Sequence, residues 1–148
     1  MLMRILKILL LFAVTHIAIA AETNHTPQSA EAMVISAIQT QWQQPNQPVY
    51  VPVVAVSAPF AIADWIQEAR GGRALLKLTD GHWQTLACGD AQIKNVYTLG
   101  KMGVPASHAA VIVQQLNLDE VNLTNAQLSL INSYSGVMNM ETHLHHRE

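Results

Sequence analysis

Charge is what this chain has least of. Asp, Glu, Lys and Arg make up 12% of its 148 residues, against about 25% in an ordinary soluble domain. The shortfall does not come from a bilayer span, because no apolar run reaches the roughly 20 residues a spanning helix needs. An integral membrane protein is therefore not expected. Eight Lys and Arg stand against ten Asp and Glu, and the densest basic cluster is the thin Arg70-Gly71-Gly72-Arg73. With no cationic surplus to neutralise phosphates, nucleic-acid binding is a remote reading. There is a single cysteine, Cys88, which excludes an internal disulfide and leaves apolar burial to hold the fold. As a lone thiol it reads as a buried small hydrophobe, a partner in an intermolecular bridge, or a ligand. The first is favoured because free cysteine is among the most buried residue types.

At the amino end Arg4 and Lys7 precede an apolar stretch from Ile8 to Ile19 that closes on Ala18-Ile19-Ala20. This small-x-small ending predicts a secretory signal over residues 1–20, cut after Ala20. The exported chain is then 21–148, with six of the eight cations left. A body of this size can bury a core of its own.

Thr26-Pro27 reads as the N-cap and first position of a helix, with Glu31 in its early turns. Ala30, Met33, Val34, Ala37, Ile38 and Trp42 recur at spacings of three and four, which predicts an amphipathic helix from about Pro27 to Gln43. Pro45 and Pro48 end it. Val49 to Val56 then follows strand grammar, with Pro52 arguing for a sheet edge or a bulge. A second strand over Ala61 to Gln67 leads into a turn from Glu68 to Gly72. Two more, Arg73 to Thr79 and Trp83 to Cys88, flank Asp80-Gly81, the strongest short hairpin signal. Beyond Gly89 the period is helical again: Ile93, Val96, Tyr97 and Gly100 share one stripe, and Gly103-Val104-Pro105 supplies a stop and a restart. Ala109, Ile112, Val113 and Leu116 mark a further helix, and Leu128 and Ile131 point inward from another over Thr124 to Tyr134. The fold class expected is α+β: an N-terminal amphipathic helix, a three- to four-stranded antiparallel meander and C-terminal helices. It forms one domain over residues 21–135.

Residues 136–148 differ from the rest. Met138, Met140, His143, His145 and His146 put five metal-binding side chains into nine residues. Thioether sulfur suits Cu(I) and imidazole suits Cu, Ni and Zn, so the mixed set points to copper before zinc. Two blander readings stand beside it: the methionines as strand or core residues, and the histidines as a solvated end. His82 and Cys88 flank one strand and together suggest an activated thiol, but His82 follows a turn glycine and no third orienting group is identifiable. No catalytic residue is assigned.

The central block carries a resemblance. Ala63-Asp64-Trp65, the run Gly71-Gly-Arg-Ala-Leu-Leu-Lys77, then Gly81-His-Trp-Gln-Thr-Leu-Ala-Cys-Gly89, Leu99 and Gly103-Val-Pro105 resemble the small exported copper uptake system-associated proteins of bacteria. The match covers about Ala61 to Pro105. It implies a role beside bacterial copper transport, with a His-rich tail corresponding to His143, His145 and His146. With the export signal and the absence of an assigned catalytic residue, the expectation is a periplasmic, non-enzymatic protein. Its implied partners are copper and a periplasmic or membrane transport component. The rival expectation is an interaction module that docks on a transporter, its tail incidental.

Overall fold

A computed structural model describes residues 28–140. The first helix, α1 (Ala30–Trp42), is capped by Ser29, whose hydroxyl accepts from the Ala32 amide at 3.2 Å. The start expected at Thr26-Pro27 lies outside the described residues. Strands β1 (Tyr50–Ser57), β2 (Phe60–Gln67), β3 (Arg70–Thr79) and β4 (His82–Gly89) follow as an antiparallel meander. A fifth, β5 (Val137–Asn139), pairs with β4. The sheet therefore has five strands in the order β1-β2-β3-β4-β5, where the sequence pattern predicts three or four. The short β5 carries too little periodicity to announce itself. Pro52 lies on edge strand β1, where the register shifts between Tyr50 and Val53. Both of its predicted consequences are met, since an edge tolerates the missing donor.

Asp80 and Gly81 both take positive φ, 50° and 79°, as a two-residue hairpin of the primed type requires. The β2–β3 turn is tighter than expected. It closes at Glu68 (φ 56°), and Gly71 and Gly72 stand inside β3. A Cβ on Gly71 would come within 2.8 Å of the Leu130 carbonyl group, so this glycine is required by close packing rather than by a turn.

Three helices follow the meander: α2 (Val96–Lys101), α3 (Ala106–Asp119) and α4 (Asn125–Ile131). Ala109, Ile112 and Leu116 of α3 are buried as the periodicity predicts. The stripe Ile93-Val96-Tyr97-Gly100 is not realised. Asn95 caps a new helix by accepting from the Tyr97 and Thr98 amides. The phase resets there, leaving Ile93 and Leu99 buried and Val96 and Tyr97 exposed. At α4, Thr124 and Gln127 form a reciprocal capping box, which satisfies two otherwise orphaned backbone donors.

Strand alternation divides the apolar residues into two cores. Ala55, Ile62, Leu75 and Ala87 face α2 and α3. Ala61, Ala63, Ala74, Leu76 and Cys88 face α1. The sheet is thus sandwiched between helices.

On the α3 side lies a buried cluster of charge. Arg73 pairs across the strands with Asp64, and both are essentially without solvent access. The Arg73 guanidinium donates to Glu120 Oε1 at 3.1 and 2.9 Å and to Asn132 Oδ1 at 2.8 Å. Lys94 Nζ donates to the other Glu120 oxygen at 2.5 Å. Asp64 Oδ1 is 3.4 Å from Arg73 Nε, and neither Asp64 oxygen accepts a hydrogen bond. Burial dominates and raises the Asp64 carboxyl to about 7, against the opposing pull of Arg73 and with a further push from Glu120.

Replacing Arg73 by Met is expected to cost about 3–5 kcal/mol in urea unfolding, because Glu120 and Asp64 lose their shared partner in a buried site. Arg73→Lys recovers little of this, since a compact ammonium lacks the planar fork that reaches Glu120 through two nitrogens and Asn132 through the third. The folded state keeps a proton on Asp64 that the unfolded chain releases near 3.8. Its contribution to stability is therefore whole at low pH and declines as pH rises from about 4 to about 7. Melting temperatures across that window should show the decline in the native chain, and Asp64→Asn should flatten it.

Candidate metal centre

The segment that follows α4 reaches the sheet through a narrow fit. Gly136, with φ 72°, turns it back. The Gly136 amide donates to Asp90 Oδ2 at 3.3 Å and its carbonyl accepts from the Asp90 amide at 3.1 Å. A Cβ on Gly89 would meet Ile93 at 2.8 Å and the Gly136 carbonyl at 3.1 Å, so the absence of a side chain there admits the incoming strand. Cys88 then stands directly opposite Met138, and the Met140 amide donates to the Leu86 carbonyl at 2.7 Å.

Directly opposed residues share a face, and so do residues two apart along a strand. Cys88, Met138 and Met140 accordingly line one cavity of about 290 Å3, together with Trp42, Trp65 and Tyr134. The Trp65 and Tyr134 rings meet edge to face at 6.1 Å, and the Tyr134 hydroxyl donates to Met138 Sδ at 3.8 Å. Gln67 Nε2 donates to the carbonyls of Trp42 and Gln47 at 3.2 and 2.9 Å. That side chain ties the segment after α1 against the cavity. Arg70 is the charged residue in its lining. Burial pushes the Cys88 thiol up to about 12, the reverse of the lowered pKa an activated nucleophile needs.

Of the five residues singled out from the sequence, Met138 and Met140 meet at this cavity, while His143, His145 and His146 lie outside the described residues. Among the described residues no three His, Cys, Asp or Glu side chains gather as a metal site. The donor set at the cavity is instead a thiol with two thioethers. Sequence reasoning counts the methionines but leaves Cys88 apart, because some fifty residues separate them and only strand pairing joins them. The Met-x-Met alternation is a local trace of a strand, too short by itself to announce one. His82 and Cys88 sit at opposite ends of β4, about 20 Å apart at roughly 3.3 Å per residue, so no thiol–imidazole pair forms. A larger groove of about 570 Å3 runs between α1 and β4 beside Gln41, His82 and Thr85.

Comparison of the chain with protein-family models, with curated proteins and with solved structures finds no match.

Native Cys88 should react with an exposed-thiol reagent at pH 8 more than about a hundredfold more slowly than in denaturant, because it is buried and held as the neutral thiol. Timed labelling with and without urea reads the ratio.

Proposed function

We propose that the protein is a periplasmic copper-binding accessory of a copper uptake or homeostasis system. In this reading Met138, Met140, His143, His145 and His146 hold copper, and the protein passes it to a transport component. The observation that carries the reading is the shared cavity: both thioethers line one aromatic-walled pocket, a soft donor pair of the kind that suits Cu(I). The likeness of Ala61 to Pro105 to copper uptake system-associated proteins supports the same assignment. So does the imidazole-rich run that begins two residues after Glu141, since neutral histidine is a ligand for copper. Copper is the cargo here, and no cofactor or catalytic group is invoked.

The second reading, a module that docks on a transporter, draws on a different face. Leu118 and Val121 are 63% and 77% exposed, and beside them Asp119 and Asn122 line a groove with Tyr50 on the edge strand. Leu118→Asp with Val121→Asp should then abolish capture of the transport component while leaving copper affinity unchanged.

The copper reading is tested by calorimetric titration with Cu(I) under reducing conditions, and separately with Cu(II) and Zn(II). Cutting the chain at Gly136 would remove β5 from the sheet, so point substitutions are the sharper tool. Met138→Leu with Met140→Leu should lower Cu(I) affinity by more than about tenfold and spare Cu(II), because the soft ligands are lost and the imidazoles kept. Replacing the three histidines by Ala should do the opposite. A chain that binds neither copper ion sinks the reading.

A further inference from the structure

We infer that Cys88 joins Met138 and Met140 in a three-sulfur site, electrically neutral when filled, that takes Cu(I) into the body of the domain. The inference rests on the copper reading above and goes beyond it, because it adds a ligand from β4, selects the oxidation state and separates this site from the histidine tail.

Geometry carries the first step. Cys88 and Met138 are directly paired, which sets their Cβ atoms about 4.5–5.5 Å apart, and the diagonal to Met140 is about 7–8 Å. Methionine has three rotatable bonds beyond its backbone. Both thioethers can therefore bring sulfur to an ion held by the thiol at a metal–sulfur distance of about 2.3 Å. The hydrogen bond from Tyr134 to Met138 Sδ leaves the second lone pair of that sulfur to the metal and orients it.

Charge carries the second step. Binding exchanges one proton for one metal: the S–H bond of Cys88 breaks, a sulfur–copper bond forms, and the proton leaves to solvent. No electron is transferred. Thiolate and Cu(I) cancel, and the thioethers are uncharged, so the filled cavity gains no net charge. That suits a pocket walled by Trp42 and Trp65, where uncompensated charge is costly. Zn(II) or Cu(II) on the same ligands would leave a net positive charge beside Arg70, which also lines the cavity. The ligand softness selects in the same direction. Access is through Met138, which is 46% exposed and so meets the ion first, whereas Cys88 lies deeper at 4%.

The test uses the full chain with His143, His145 and His146 replaced by Ala, titrated with Cu(I) against a chromophoric Cu(I) chelator under reducing conditions. One Cu(I) per chain is expected, with a near-ultraviolet thiolate-to-copper band and three sulfur neighbours in X-ray absorption. Cys88→Ala should abolish the band, leave two sulfur neighbours and weaken Cu(I) by more than the roughly 10–100-fold that loss of an outer-shell partner costs. Met138→Leu and Met140→Leu should each weaken binding while keeping the band, which guards against a Cys88 variant that fails for lack of folding. If Cys88→Ala leaves affinity and sulfur count unchanged, the three-sulfur site is overturned and the copper reading stands. If Cu(I) binding vanishes with the histidines, the metal belongs to the tail and the inference is again overturned. If the unaltered chain ignores copper altogether, both fall.

Discussion

A guanidinium with almost no access to water holds the layers of this protein in register. Arg73 stands mid-sheet on β3, opposite Asp64 on β2, and reaches Glu120 just past α3 and Asn132 just past α4, while Lys94 closes the far side of Glu120. One side chain thus ties the sheet to two helix ends, and through Glu120 to the short turn before α2. A fork of fixed geometry does this better than a point charge, because its donors are already aimed at separate acceptors. Burying so much charge is not in itself a gain over apolar packing. What it gives is a single arrangement, since any slip of α3 or α4 over the sheet would strand a charged group.

The glycines before Arg73 belong to the same device. Gly71 lets the Leu130 carbonyl approach to a distance no Cβ would allow, and Gly72 sits against the faces of Trp65 and Tyr134. The close approach of α4 brings Asn132 onto Arg73 and Tyr134 onto the opposite face of the sheet. From there the chain turns at Gly136, passes Gly89 and enters as β5. The buried charge cluster and the sulfur-lined cavity lie on opposite faces, and the segment from α4 to β5 joins them. Each is closed by the same few residues of chain.

Much of this architecture is legible in sequence where one local rule dominates. The apolar spacing from Ala30 to Trp42 and from Ala109 to Leu116, the Asp80-Gly81 turn and the proline on an edge strand each follow from nearest-neighbour geometry. Legibility fails where two signals compete. Asn95 offers a cap and resets the helical phase, so the stripe through Val96 and Tyr97 turns outward. Gly71-Gly72 has the composition of a turn, but the backbone needs its freedom for packing. Arg73 and Asp64 look like surface charges in a chain that has few of them. Nothing local distinguishes a buried ion pair from an exposed one.

The candidate centre divides in the same way. Sequence by itself determined the α+β class, the first helix, the antiparallel meander and the chemistry on offer, which is alternating methionines, an imidazole-rich end and one cysteine, because periodicity and side-chain type are properties of neighbouring residues. Tertiary structure alone decided which of these meet. Cys88 and Met138 are fifty positions apart along the chain and adjacent across the sheet, and strand pairing between distant segments depends on the whole fold being assembled. The pairing of Arg73 with Glu120 has the same origin. In both cases residue identity states what a side chain can do, and the closure of long loops settles what it does it with.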